Sequence, residues 1–205
     1  MTKGTKDRIV ETTERLFRRQ GFNGTGLKQI VAEANAPFGS LYHFFPGGKQ
    51  QLGAEVIRSA GLMYQDLVTG VFDAAPDMVQ GVRDCFDGAA AVLRETDFED
   101  ACPIETVALE VASTNETLRE ACAEVFESWI EEATRRLTDA GIPKKKSREL
   151  ASFVIAALEG AFVLARGMHD ARPVEIAGEL AAAAVSDAMR QTRRVRNRTR
   201  PRTRR

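Results

Sequence analysis

The feature of this sequence that most restricts its fold is the spacing of its apolar residues, which is helical almost from end to end. They recur every three or four positions in segment after segment, and this spacing places them on one face of an α-helix. No alternating pattern of the kind that strands show rises above background, and no internal repeat is visible. Apolar residues make up 43% of the 205-residue chain. The pattern therefore predicts an all-α fold with a buried core.

The breaks between the apolar runs predict where the helices begin and end. We expect Gly21 to end the first helix, Asn35 to adopt a left-handed conformation after the second, and Pro46-Gly47-Gly48 to follow the third. Thr25 and Ser147 are expected to cap the helices after them through their hydroxyls. The predicted helices cover residues 5–20, 26–34, 37–44, 49–71, 77–95, 102–112, 115–140, 148–168 and 173–190.

The net charge of zero hides an uneven distribution along the chain. Residues 1–52 carry eight Lys/Arg and four Asp/Glu, residues 53–192 carry thirteen and twenty-five, and residues 193–205 carry eight arginines and no acid. Basic ends on an acidic body indicate a polyanionic partner at the ends. We expect 193–205 to be a disordered tail that either adds sequence-independent phosphate contacts or serves only as a solubilising end.

The reactive side chains are too scattered for catalysis or metal binding. A disulfide framework or a zinc site needs cysteines and histidines at close spacing, and an enzyme of a familiar class needs a phosphate loop or a nucleophile with a base. Neither pattern occurs, so we predict no enzyme activity, no cofactor and no metal. The residues in question are Cys85, Cys102, Cys122, His43 and His169.

The sequence also predicts a cytoplasmic protein with no membrane partner. Its first residues are polar and lack an apolar signal region. The longest apolar stretch, 151–165, is interrupted by Glu159 and is expected to be too short to span a bilayer.

The second and third helices, with the short corner between them, fit a helix-turn-helix, whose second helix lies in the major groove of DNA. Ser40 and His43 can donate or accept hydrogen bonds at base edges, and Tyr42 can reach a phosphate. Lys49, at the start of the fourth helix, can share a phosphate with local backbone N–H groups. The predicted DNA-binding residues are Thr25, Lys28, Phe38, Gly39, Ser40, Tyr42, His43 and Lys49.

Three pieces within about residues 7–55 resemble the DNA-binding domain of the tetracycline-repressor (TetR) family: "RIVETTERLFRRQGF", "TGLKQIVAEANAP" and "GSLYHFFPGGKQQL". The segment "ACPIETVALEVAS" at 101–113, together with "PGGK", resembles the LmrA/YxaF-like branch. The resemblance breaks at Phe38, where relatives of this branch usually carry lysine. Phe38 can contact a thymine methyl group there, or it can simply pack.

The resemblance implies a homodimer with a DNA-binding domain at 1–48, a helical ligand-binding and dimerisation domain at 49–192 and a tail at 193–205. An apolar or aromatic effector would bind within the body, at residues that can equally be ordinary core. The candidates are Phe86, Cys102, Glu105, Phe126, Trp129, Glu159, Phe162 and His169. Helices eight and nine would form the dimer face through a four-helix bundle, with Leu158, Ala161, Ala165, Ala181, Ala184 and Val185 as its contacts.

These features together predict a ligand-responsive transcriptional regulator, acting as a repressor on a palindromic DNA operator. Its two heads would lie about 34 Å apart, the distance between successive major grooves. Its binding would weaken steeply with salt, because phosphate contacts release counterions. The alternative is a nonspecific nucleic-acid-binding protein driven by the basic tail, and deletion of 193–205 distinguishes the two.

Overall fold

The computed structural model describes residues 4–199, with side chains as far as Val195. These residues form nine helices and no strand, which confirms the predicted all-α class. The helices are α1 (Thr5–Gly24), α2 (Leu27–Glu33), α3 (Phe38–Phe44), α4 (Gly48–Ala74), α5 (Met78–Glu95), α6 (Pro103–Val111), α7 (Glu116–Asp139), α8 (Lys144–Met168) and α9 (Arg172–Thr199).

Two predicted helix ends are wrong. Pro143 is the N-cap of α8, so Ser147 lies inside the first turns of the helix, and its buried hydroxyl donates to the carbonyl of Ile142 at 3.2 Å. The predicted capping role of Ser147 is therefore corrected. The second difference is at α9, which continues to Thr199, so residues 193–199 of the predicted disordered tail are helical. The remainder of that tail, 200–205, lies outside the described residues.

The helices fall into two compact units that do not follow chain order. The first unit contains the chain up to Leu67 and Glu95–Glu127, and the second contains Val68–Arg94 and the chain from Ser128 onward. Helix α6 therefore belongs with α1, α2 and α3, whereas α5, α8 and α9 share the other unit. The domains predicted from the sequence, with a boundary at residue 48, group the chain differently and stay a prediction.

The core of the first unit is built from one face of each of its short helices. Ile9 and Phe17 of α1, Ile30 of α2 and Leu41 of α3 are all fully buried, and so is Phe45, just after α3. Each such side chain contributes roughly 1.5–3 kcal/mol on burial. These buried side chains fix the angle between α2 and α3 and hold both helices on α1. Helix α1 also packs along α6.

The second unit is organised around the contact between α8 and α9. Small residues line it, among them Ala165 of α8 and Ala181 of α9, and both are fully buried. Close packing extends to α5, since a Cβ atom at Gly178 would lie 2.6 Å from the Cβ of Phe86. Side chains of this size let the backbones of neighbouring helices approach closely.

Four of the six residues predicted for the dimer face are buried within the chain itself. Ala161, Ala165, Ala181 and Val185 are buried within the single chain, so that prediction is wrong for these four residues. The other two, Leu158 and Ala184, are partly exposed. The large apolar side chains that α8 and α9 leave exposed are Phe153, Val163, Leu164, Met168, Ile176, Leu180 and Val195.

Helix α8 is long and apolar enough, by length and composition alone, to cross a membrane. The stretch 151–165 is part of a 25-residue helix, so the expectation that it would be too short is wrong. A helix that packs against other protein surfaces meets the same criterion, and α8 does pack against α9.

Candidate nucleic-acid interface

Gly21 forms a kink near the C-terminal end of α1. Helical geometry is interrupted there, where the sequence predicts a helix end, since Gly21 has φ 71° and ψ −176°. A Cβ atom at this position would lie 1.7 Å from Oε1 of Glu110 on α6. The backbone N–H of Asn23 donates to Oε2 of the same carboxylate at 2.8 Å. Glycine is therefore required both by the backbone conformation and by the close approach of α6.

Thr25 directly follows α1, and its surroundings contradict its two predicted roles, as a helix cap and as a DNA contact. Its side chain is fully buried, and its hydroxyl donates to the carbonyl of Gly21 at 2.6 Å. The N-cap of α2 is Gly26, so Thr25 does not cap that helix. A side chain enclosed in this way cannot reach DNA, and we therefore assign Thr25 a structural role.

The corner between α2 and α3 has the left-handed residue that the sequence predicts. Asn35 has φ 49°, and the N–H of Ala36 donates to the carbonyl of Val31 at 2.9 Å. Arg8 of α1 holds the corner from the other side, donating from Nε to the carbonyl of Ala34 at 3.0 Å and from Nη2 to that of Asn35 at 3.1 Å. The guanidinium supplies several donors in one rigid plane. Sequence reasoning missed Arg8, since its partners lie 26 and 27 residues away.

Helix α3 divides its residues between core and surface. Pro37 is its N-cap, and Leu41 and the following Phe45 are fully buried. Phe44 is partly buried. The recognition face, as we call the remaining side of α3, consists of residues that are exposed or partly exposed: Phe38, Gly39, Ser40, Tyr42 and His43.

The aromatic rings around the recognition face are held by one another. The ring centroids of Phe38 and Tyr42 lie 5.8 Å apart, and those of His43 and Phe44 lie 4.9 Å apart in an edge-to-face arrangement. Because residues four apart share a helix face, Phe38 and Tyr42 project from the same side of α3. The face therefore presents an apolar ring, a phenol and an imidazole.

The loop after α3 brings the chain sharply into α4. Gly48 has φ 66°, and its N–H donates to the carbonyl of Phe45 at 2.8 Å. The N–H of Gly47 donates to Oε1 of Gln51 at 2.8 Å. Gln51 was not singled out from the sequence, although a glutamine four residues after a glycine turn is a plain cue for such a contact.

The two lysines predicted to bind DNA differ in their surroundings. Lys28 on α2 is exposed. The ammonium of Lys49 lies over the ring of Phe22, 4.2 Å from its centroid. Burial lowers the pKa of Lys49, and the nearby carboxylate of Glu110 opposes that shift. A phosphate contact by Lys49 would compete with this internal contact, whereas Lys28 has no such contact to give up.

Other basic residues of the first unit are paired with acids. Arg15 contacts Glu33 at 2.7 Å on the surface of α1 and α2. Arg19 contacts the largely buried carboxylate of Asp100 at 2.9 Å, which ties α1 to the segment just before α6. These pairs reduce the positive charge that the N-terminal region offers to a polyanion.

The residues predicted to bind an effector are divided between the two compact units. Cys102, Glu105 and Phe126 belong to the first compact unit, and Phe86, Trp129, Glu159, Phe162 and His169 belong to the second. Two open clefts in the described part of the chain have volumes of about 580 and 470 Å³. None of the eight residues lines either cleft, so the effector site stays a prediction.

Three of the eight have defined structural surroundings. Cys102 is the N-cap of α6, where its sulfur accepts from the N–H of Glu105 at 3.5 Å, so Cys102-Pro103 shapes the start of this helix. Phe86 is fully buried beside Gly178. His169 is exposed and ends α8 in a left-handed conformation with φ 54°.

The remaining two cysteines are protected from ionisation by the fold. Burial raises the pKa of Cys85 to about 12 and that of Cys122 to about 11. Both thiols are therefore protonated at neutral pH, where a reactive cysteine would be a thiolate. Within the described residues, no group of three His, Cys, Asp or Glu side chains is placed to hold a metal ion.

Both halves of the chain match known protein families. Residues 9–56 match the model of bacterial regulatory proteins of the tetR family, and residues 78–180 match the C-terminal domain of LmrA/YxaF-like transcriptional regulators. The uncharacterized HTH-type regulator YxaF of Bacillus subtilis is 33% identical over 175 residues, which are 85% of this chain and 92% of the relative. LmrA of the same organism is 30% identical over 170 residues, 83% and 90% of the two chains.

A solved structure agrees with these sequence matches. A TetR transcriptional regulator from Chloroflexus aurantiacus superposes with a TM-score of 0.76 and 26% identity, over 89% of this chain and 94% of that one. The relatives are transcriptional regulators rather than enzymes, which confirms the prediction of a non-enzymatic protein. With its helix-turn-helix and its matching C-terminal region, the chain belongs to the TetR family of bacterial transcriptional regulators, in the LmrA/YxaF-like branch.

Proposed function

We propose that this regulator is a repressor that binds a palindromic operator as a homodimer and leaves it when a small apolar or aromatic effector binds. It would act in the cytoplasm, where the DNA lies. The observation that carries the proposal is the recognition face, which stays exposed while Leu41 and Phe45, on the opposite side, are fully buried. A helix fixed in this way can enter the major groove without unfolding the head.

The residues of the recognition face have separate tasks in this proposal. Ser40 and His43 would donate or accept hydrogen bonds at base edges. Tyr42 would reach a phosphate with its hydroxyl, and Lys28 would contact the backbone from α2. Gly39 leaves room for close approach to DNA, since nothing lies within 4 Å of where its Cβ would be. Thr25 has no place in this set, because its side chain is enclosed.

The proposed dimer face is the exposed apolar side of α8 and α9. Leu164 is 56% exposed and Leu180 is 62% exposed, although both belong to long, otherwise well-packed helices. A second copy of the same helices would cover these side chains and form a four-helix bundle with two-fold symmetry. The two-fold axis would then present two heads to the two halves of a palindrome.

The link between α6 and α1 supports the proposed release by an effector. Asn23 donates to Glu110, and Arg19 pairs with Asp100, so a shift of α6 would pull directly on the end of α1. An effector would act through this link only if it binds two positions of the head with different affinity. Trp129 and Phe162, which belong to the second unit, are partly buried and are the aromatic side chains we propose for its pocket.

Footprinting on the DNA upstream of the protein's own gene tests the proposal, and the two histidines of the chain give a matched pair of variants. His43→Ala is expected to weaken operator binding by about tenfold or more, because a good base contact is worth roughly 1–3 kcal/mol. His169→Asn keeps a residue suited to the left-handed conformation and should leave binding unchanged. The proposal fails if no palindromic footprint appears, or if both variants bind like the wild type.

Deletion of residues 193–205 addresses the alternative function. Specific operator binding that survives the deletion would show that the head carries recognition. Loss of all binding would instead favour a nonspecific nucleic-acid-binding protein driven by the basic residues. The proposal expects the first result, with a modest fall in affinity at low salt because counterion release is smaller.

A further inference from the structure

An exposed phenylalanine stands at the start of the recognition helix. Phe38 is the first residue of α3, and 44% of its surface is exposed. Among the described residues before Leu62, it and Tyr42 are the exposed large hydrophobic side chains. A phenyl ring makes no hydrogen bond with water, so exposure here gives no benefit in the free protein.

The surroundings of Phe38 keep its ring on the surface. Tyr42, one turn further along α3, lies against it with the ring planes tilted by 57°. Nothing lies within 4 Å of a Cβ atom built at Gly39, the next residue, so the helix surface beside Phe38 is open at that point. The Phe38 ring therefore projects from the same side of α3 as Tyr42 and stays exposed.

The major groove offers one apolar group to such a ring. The C5-methyl of thymine projects from its base edge, whereas the edges of guanine, adenine and cytosine present hydrogen-bond donors and acceptors. A phenyl ring pressed against those polar edges would displace their water without replacing its hydrogen bonds. In helix-turn-helix proteins the N-terminal residues of the recognition helix contact base edges, and Phe38 has this position.

We infer that Phe38 is a specificity-determining residue that selects a thymine through contact with its 5-methyl group. The inference rests on the proposed function, since it assumes that α3 enters the major groove. It assigns each half of the operator one thymine whose methyl group packs on the Phe38 ring. The other residues of the recognition face then read neighbouring positions through hydrogen bonds.

A scan of the operator with deoxyuridine tests this inference. Deoxyuridine pairs like thymidine and lacks only the methyl group. Each thymine of the footprinted operator is replaced in turn, symmetrically in both half-sites, and the dissociation constant of the full-length protein is measured. One buried methyl group corresponds to a roughly fourfold change in affinity, so the two methyl groups removed by a symmetric replacement correspond to a roughly 15-fold change. We expect one thymine position per half-site to show a loss of this size with the wild-type protein.

Two variants assign the loss to Phe38. In Phe38→Ala the dependence on that methyl group should disappear, so the thymine and deoxyuridine operators bind alike. Tyr42→Phe, which keeps the neighbouring ring and removes only its hydroxyl, should retain the dependence. Thermal unfolding confirms that the variants fold, as expected for substitutions of exposed side chains.

Several outcomes would overturn the inference. If no thymine methyl affects wild-type binding, the contact does not exist, and this result needs no variant. If the same thymine matters equally in Phe38→Ala, another residue makes the contact. If no operator is bound specifically at all, the proposed function fails and the inference falls with it, whereas specific binding without methyl dependence overturns the inference alone.

Discussion

Gly21 is the single residue whose replacement should disturb the head most. Alanine there would need a positive φ, and its Cβ would collide with the carboxylate of Glu110. Gly21→Ala should lower the free energy of unfolding by about 2–3 kcal/mol, measured by urea denaturation. Gly88→Ala is the control, because its site on α5 has open space, and it should stabilise the protein by about 0.5–1 kcal/mol. Equal effects of the two changes would contradict this account of Gly21.

The phenol of Tyr64 is expected to lose its proton at a higher pH than an ordinary tyrosine does. Burial raises its pKa to about 12, and Arg18, whose guanidinium lies 3.5 Å from the phenol oxygen, opposes the shift. The chain has two tyrosines, so Tyr42→Phe leaves Tyr64 alone for an absorbance titration. At about pH 11 the folded protein should keep this phenol mostly protonated, whereas an unfolded tyrosine, with a pKa near 10, is mostly ionised.

The same shift makes stability depend on alkaline pH. A folded-state pKa above the unfolded value contributes stability that is complete below about pH 10 and is lost as the pH rises towards 12. The free energy of unfolding should therefore fall more steeply over this window in the wild type than in Tyr64→Phe. Parallel slopes, or an absorbance midpoint near pH 10, would refute the assignment.

At this scale the sequence predicts backbone conformations better than side-chain partners. Asn35 has the expected positive φ, and Gly21 interrupts helical geometry where a helix end is expected, because few residue types adopt a positive φ without strain. Thr25 and Ser147 both look like helix caps, yet each hydroxyl donates to a carbonyl four or five residues earlier. Tertiary packing decides whether such a hydroxyl bonds to a backbone N–H of the following helix or to an earlier carbonyl. The local spacing of residues contains no information about that packing.

Among the elements, Glu110 lies at the junction of α1 with α6, and its negative charge acts on the pKa of Lys49. Glu110→Gln keeps an oxygen to accept from Asn23 but removes the negative charge that raises the pKa of Lys49. The pKa of Lys49, followed by NMR of its side-chain carbon, should therefore fall further while stability changes little. Glu110→Ala also removes the acceptor and should cost about 1 kcal/mol. An unchanged Lys49 pKa in Glu110→Gln would rule out the electrostatic link.

Helix α8 shows where helix periodicity stops being informative. Periodicity identifies an apolar stripe, but α8 is apolar on more than one face, and the stripe that meets α9 cannot be told from the stripe that stays exposed. The predicted dimer residues Ala161 and Ala165 are accordingly buried within the chain. Only the packing of the chain itself leaves Leu164 and Met168 as the uncovered set.

For the molecule as a whole, the exposed face of α8 and α9 makes the dimer testable. Leu164→Glu places a charge at the centre of the proposed contact and should yield monomers in sedimentation experiments, with loss of operator affinity. Leu62→Glu is the control, because Leu62 on α4 is 64% exposed and lies outside α8 and α9. It should sediment like the wild type. Two variants with the same dimeric mass would count against this face.

The overall architecture is predictable from the sequence, but the grouping of its helices is not. Helical spacing and the family motifs indicate an all-α regulator with an N-terminal head. They do not show that α6 packs with that head, because the decisive pairs, Arg19 with Asp100 and Asn23 with Glu110, are separated by 81 and 87 residues.

That separation has a consequence for synthesis. Ribosomes add about 5–20 residues per second, so once α3 has been translated the head waits several seconds before the segment Glu95–Glu127 follows it out. During this interval the carboxylate of Glu110 is not yet present beside Gly21 and Asn23. The side of α1 that packs along α6 is uncovered. The head of the nascent regulator therefore lacks its contacts with α6 until that segment has been synthesised. A head fused alone to another protein would lack these contacts permanently.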